Sequence, residues 1–130
     1  MSDARSKMKN ILVVDDSPTM RRMVTASLRP LGDVGFGEAS SGLEAIERLA
    51  LAPVDLIILD LNMPDMHGME VIEFVRGHQA YRGIPIIVLT TREDEASRAG
   101  AMAAGATHYL TKPFDPHQLT GYARRLLDAD

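Results

Sequence analysis

Four short apolar runs along the chain each give way at their carboxyl end to polar or charged residues. Ile11-Leu12-Val13-Val14 runs into Asp15-Asp16, Leu56-Ile57-Ile58-Leu59 into Asp60, and Ile86-Ile87-Val88-Leu89 into Thr90. The fourth, Tyr109-Leu110-Thr111, leads to Lys112-Pro113. Runs of this length, rich in branched aliphatics and bounded by turn residues, predict strands covered on both faces. A weaker, glycine-interrupted stretch from Val34 to Ala39 predicts a further strand at an edge.

Between these strands the spacing changes to that of helices. Ser17-Pro18 supplies an N-cap and a first-turn proline. Met20, Met23, Val24, Leu28 and Leu31 follow, and Pro30-Leu31-Gly32 ends the run. Ser41-Gly42-Leu43-Glu44 has capping-box spacing and opens a helix through Ile46 and Leu49 to Pro53. A Met63-Pro64-Asp65 turn introduces a helix through Ile72 and Val75 that stops near Gly77. The fourth helix runs from about Glu93 to Gly105, a C-cap candidate, with Ala96, Ala99, Met102 and Ala103 as its expected apolar face. Those side chains are small, and Gly100 costs about 1 kcal/mol relative to Ala. This helix is therefore the expected mobile output element. The last helix starts at Asp115-Pro116 and is expected to bury Leu119, Tyr122, Ala123, Leu126 and Leu127.

Strands alternating with helices of this length predict an open, doubly wound α/β domain. Parallel sheets of that kind bind ligands at the carboxyl ends of their strands. Three carboxylates, a hydroxyl and an ammonium, distant in sequence, are thus expected to meet in one crevice.

The 130 residues suit one domain, read as a polar tail over 1–9 and a folded unit over 10–130. The chain closes with its fifth helix, so the expectation is a stand-alone unit. No cysteine is present, which removes disulfides, thiolate metal sites and cysteine nucleophiles, and suits a reducing cytoplasm. Arg5, Lys7 and Lys9 precede only a four-residue apolar run, too short for a signal peptide or a membrane helix. No membrane insertion is expected. The net charge is −4 and no basic stripe is interleaved with aromatics, so nucleic-acid binding is not expected either.

Asp15 and Asp16 precede a helix, where acids commonly serve as caps. Placing Asp60 beside them changes that reading, because three carboxylates in one crevice repel each other and raise one another's pKa. Such a cluster stays anionic only around a cation. Oxygen ligands, with no His or Cys nearby, suit Mg2+ better than zinc. Lys112 would be an ordinary solvated lysine if alone; across from three acids it offers a positive charge to a phosphoryl group. Thr90 taken singly is a β-branched strand residue; here it adds a hydroxyl donor. Together these groups make a phosphoryl-transfer site in which Asp60 attacks phosphorus and becomes an aspartyl phosphate.

The set Asp15-Asp16, Asp60, Thr90 and Lys112-Pro113-Phe114 resembles the receiver domain of two-component response regulators, over about residues 10 to 128. Asp15 to Arg22 and Leu61-Asn62-Met63-Pro64 are most similar to the single-domain chemotaxis branch. The resemblance implies a flavodoxin-like fold with strand order 2-1-3-4-5. It implies phosphate transfer from a histidine kinase to Asp60, and Mg2+ held by Asp60, Asp16 and the Asn62 backbone carbonyl, with Asp15 acting through water. It also implies a cis Lys112–Pro113 bond and a switch formed by Thr90 and Tyr109. The downstream target would then bind the surface of the fourth helix, fifth strand and fifth helix. Tyr109 could equally be a half-buried strand tyrosine. Asn62 and Arg92, each two residues past a site residue, are the candidates for setting phosphate lifetime. Arg92 departs from the acid common there in chemotaxis relatives. His67, His78, His108 and His117 have no metal-ligand spacing, and His67 is expected to face solvent without a catalytic part.

Three other readings compete. A phosphorelay intermediate uses the same site. A phosphatase with an aspartyl-phosphate intermediate usually has Asp-x-Asp, whereas Asp60-Leu61-Asn62 carries an amide at the second acid. A flavin module shares the fold, but crowded acids repel its phosphate.

Overall fold

The computed structural model describes residues 8–63 and 65–128. Its strands are β1 (Lys9–Val14), β2 (Val34–Ala39), β3 (Leu56–Leu59), β4 (Ile86–Thr90) and β5 (His108–Thr111). All pair in parallel, in the order β2-β1-β3-β4-β5. The helices between and after them are α1 (Pro18–Leu28), α2 (Gly42–Leu51), α3 (Gly68–Gly77), α4 (Glu95–Ala104) and α5 (Pro116–Asp128). β1 begins at Lys9, and residues 1–7 of the expected tail lie outside the described part.

Period-two alternation divides the central strands between two apolar layers. Leu12, Val14, Ile57, Leu59, Ile86 and Val88 face one side, under Ala45 and Leu49 of α2, Val71, Ile72 and Val75 of α3, and Ala101 of α4. Ile11, Val13, Leu56, Ile58, Ile87 and Leu89 face the other, under Val24 and Leu28 of α1 and Leu119, Ala123 and Leu127 of α5. Each fully buried Leu or Ile contributes about 1.5–3 kcal/mol, and the central strands contain little else. This is why they read as unbroken apolar runs.

The helix ends follow local chemistry, with departures. Ser17 Oγ accepts the Met20 N–H, as expected of the cap. Met23, however, is exposed, and Leu31 sits in a separate 3-10 turn over Arg29–Leu31, because Pro30 ends the α-helical hydrogen bonding. Ser41 Oγ accepts the Glu44 N–H, but the Glu44 carboxylate reaches back to the N–H and hydroxyl of Ser40, one residue before the cap. The capping box is therefore displaced by one position. His67 is exposed and caps α3: its Nδ1 accepts the Met69 N–H while Glu70 accepts the His67 N–H. No helix among the described residues is long and apolar enough to cross a membrane.

The fourth helix corrects the sequence expectation most. Asp94 caps it and Gly105, at φ 124°, ends it. Ala96, Ala99, Met102 and Ala103 all face solvent; Ala101 alone is fully buried, flanked by half-buried Ser97, Gly100 and Ala104. In a helix so rich in alanine, spacing cannot tell one face from another. Weak attachment follows all the more strongly, since a single methyl group is anchored in the core. Amide exchange should accordingly be faster over residues 95–104 than over 118–127, where Leu119, Ala123 and Leu127 are buried. Hydrogen-exchange mass spectrometry giving equal protection in the two helices would contradict this.

Candidate functional site

Hydrogen bonds that continue the sheet beyond its strands set the site residues level with one another. Asp15 N–H donates to the Ala39 carbonyl, Asp60 N–H to that of Val14, and Lys112 N–H to that of Thr90. The expected convergence is present. Asp15 and Asp60 are buried, at 4% and 5% exposure, Thr90 is fully buried, and Asp16 is exposed at the rim.

Lys112 Nζ lies 2.7 Å from Asp15 Oδ2 and 3.4 Å from Asp60 Oδ2. The remaining oxygens also have donors: Asp15 Oδ1 accepts the Ser17 N–H at 2.9 Å, and Asp60 Oδ1 accepts the Asn62 N–H at 3.2 Å. Asp15 thus leaves the α1 cap to Ser17 and turns inward. Burial pushes the Asp60 carboxyl above its ordinary value, and the charge on Asp15 adds to that. The Asn62 N–H, Lys112 and the Thr90 hydroxyl pull the other way.

One ammonium faces three carboxylates, which leaves the crevice negative. Asp15, Asp16 and Asp60 each offer an oxygen, all within 4.8 Å of one another. A compact set of hard oxygen donors with one exposed member fits a divalent ion that keeps water in its coordination shell, as Mg2+ does. The Lys112–Pro113 bond is cis.

The mouth of the crevice is bridged. Arg92 Nε donates to Asn62 Oδ1 at 2.6 Å, and Asn62 Nδ2 reaches Thr91 Oγ1 at 3.4 Å. Tyr109 is buried at 7% exposure; its hydroxyl donates to the Arg92 carbonyl at 2.8 Å, and the Arg98 guanidinium lies 5.7 Å from its ring centre. The loop after β4 therefore touches both the crevice and β5.

Two residues to which the sequence reading assigned no role also shape the site. A Cβ on Gly68 would lie 2.6 Å from Leu61 Cα and 2.8 Å from the Asp60 carbonyl, so only glycine lets α3 start against the loop that holds Asp60. Arg21 donates to the Asp15 carbonyl at 2.6 Å and to Glu38 at 2.7 Å, fixing the turn after β1. A glycine between the Met63-Pro64-Asp65 turn and the following helix was the available signal for the first; the second lay in the segment quoted for the resemblance, but nothing there marked its contacts.

The response regulator receiver domain family matches residues 11–124. The chain is 43% identical over 110 residues to the chemotaxis protein CheY1 of Helicobacter pylori, covering 84% of this chain and 89% of that one. Its structure is similar to that of the chemotaxis response regulator CheY4 of Vibrio cholerae, with a TM-score of 0.83 and 38% identity over 92% of this chain and 98% of that one. A response regulator solved in its Mn(2+)-bound form is 28% identical, with a TM-score of 0.82 over 94% and 96% of the two chains.

The raised Asp60 pKa has a consequence for stability. A carboxyl whose pKa is higher in the fold than in the unfolded chain supports folding below its ordinary value near 4. That support is lost as pH rises through the folded-state pKa. At neutral pH in chelator, Asp60→Asn should therefore be more stable than the parent. The gain should shrink on acidification, and Mg2+ should stabilise the parent more than the variant. Urea denaturation at several pH values checks this; a variant less stable at neutral pH without metal would contradict it.

Proposed function

Because the chain belongs to the response regulator receiver family, we propose that it is a phosphoacceptor switch charged on Asp60 by a histidine kinase. The observation that carries this reading is the buried Asp60 carboxylate, held between the Lys112 ammonium and the Asn62 N–H in a cluster of three acids. An Asp60 oxygen attacks the phosphorus of a phosphohistidine; the P–O bond forms as the P–N bond breaks, and the imidazole leaves with a proton from solvent. Lys112 neutralises charge on the phosphoryl oxygens, and the Thr90 hydroxyl donates to one of them. Mg2+ held by Asp15, Asp16, Asp60 and the Asn62 carbonyl would offset the remaining negative charge. That a similar response regulator was solved in an Mn(2+)-bound form supports binding of a divalent ion. Asn62 cannot act as the general acid a hydrolase would need there, and its amide is engaged with Arg92.

The output follows from the loop beyond β4. Movement of Thr90 toward the phosphoryl group displaces the Arg92 carbonyl, which holds the Tyr109 hydroxyl. The surface of α4, β5 and α5 changes as a result, and the downstream target binds there. Similarity to chemotaxis proteins supports a chemotaxis pathway in the cytoplasm. Asn62 and Arg92 admit or exclude the water that hydrolyses the phosphoryl group.

Incubation with acetyl phosphate, read by intact mass, tests both parts. The parent should gain one phosphoryl group with Mg2+ and none in chelator, and Asp60→Asn should gain none in either. Asn62→Ala and Arg92→Glu should be phosphorylated as the parent is, but lose phosphate at rates changed by roughly threefold or more. Labelling that persists in Asp60→Asn overturns the phosphoacceptor assignment. Unchanged decay in both other variants overturns only the timer.

A further inference from the structure

A second concavity opens between β2 and the C-terminal end of α2, toward the amino ends of the strands and away from Asp60. The sheet register pairs Asn10 with Gly35 and Leu12 with Gly37, so the face of β2 beneath α2 presents two glycines and then Ala39. A strand face without side chains cannot fill the space under a helix. The result is a cleft of about 280 Å3, floored by the backbone of residues 35–37 and walled by Leu12, Arg48, Pro53 and Val54. Glycine in a strand often marks a place where another group approaches the backbone closely.

Two polar side chains line this cleft. The Asn10 carboxamide has no hydrogen bond among the described residues, although its backbone N–H donates to Asp55 at 2.8 Å. Its Oδ1 lies 3.1 Å from where a Cβ on Gly35 would stand, at the floor. Arg48, the one charged residue in the lining, makes no ion pair or side-chain hydrogen bond among the described residues. Glu44, the acid one turn earlier, gives its carboxylate to Ser40 instead. An exposed guanidinium in Coulombic range of Glu44 but without a hydrogen bond, and an amide without one, both among the described residues, thus border a space with apolar walls and a flat peptide floor.

We propose that this cleft binds a free small-molecule anion built on one planar ring, an aromatic or heteroaromatic carboxylate. The ring lies flat on the peptide planes of residues 35–37, against Leu12 and Val54. The carboxylate meets Arg48, whose fork of N–H donors matches its two oxygens. The volume sits just below the usual lower bound of roughly 300 Å3 for ligand pockets, which limits the occupant to a single ring. Arg48 is the one charged residue in the lining, so the ionic contact the cleft itself offers is to an anion.

The test uses the 15N-labelled full-length chain titrated with benzoate, alongside cyclohexanecarboxylate and inorganic phosphate. Benzoate should give saturable amide shifts at Asn10, Gly35, Gly37 and Val54, with a Kd of about a millimolar. Arg48→Gln should weaken it about tenfold or more. Gly37→Ala places a methyl group 3.5 Å from Leu12 Cδ1, an ordinary contact, so the variant should keep a native spectrum yet lose affinity by filling the floor. Three results would each overturn the proposal. They are no saturable shift at these amides, Arg48→Gln binding as the parent does, or equal shifts from phosphate or from the non-planar ring acid.

Discussion

The site depends on the placement of one ammonium group between two buried carboxylates. Lys112 Nζ touches Asp15 at 2.7 Å and Asp60 at 3.4 Å, and all three belong to segments adjoining different strands. Two buried carboxylates without a cation would be costly, so loss of the ammonium, unlike loss of one of the three acids, leaves buried charge uncompensated. The arrangement is possible because parallel pairing ends β1, β3, β4 and β5 at the same edge of the sheet. The apolar layers on both faces fix that pairing: a strand with four buried side chains cannot slip by one residue without turning them to the wrong layer. Core packing therefore sets the electrostatics of the crevice.

What was legible in the sequence follows from the same physics. Strands buried on both faces announce themselves as unbroken aliphatic runs, and each site residue lies directly after a run or at its end. Asp15, Asp60, Thr90 and Lys112 could be read from pattern alone, and order 2-1-3-4-5 from resemblance. The α4 face could not, because Ala96, Ala99, Ala101 and Ala103 are chemically identical and only packing distinguishes the buried one. Met23 looked like part of a helical stripe, yet α1 is held by Val24 and Leu28 and leaves Met23 outside. The need for glycine at position 68 arises from an approach to Leu61 and Asp60 that no local pattern encodes.

The crevice and the proposed output surface are joined by few contacts. Arg92 uses its side chain on Asn62 and its carbonyl on Tyr109, so one residue touches the crevice mouth and also holds the β5 aromatic. Beside it α4 contributes one buried methyl group to the core, which makes it the element of least cost to displace. Stability is concentrated in the central strands and α5, and adjustability where the proposed partner binds.

The central claim is that Asp60 is held in the fold as a strained anion awaiting a cation and a phosphoryl group. The most direct measurement is a pH titration of the Asp60 side-chain carboxyl carbon by 13C NMR, in chelator and again with Mg2+. The account predicts an apparent pKa above the ordinary carboxylate value without metal and a marked fall when Mg2+ is added. An ordinary or lowered value in chelator, unmoved by Mg2+, would contradict it.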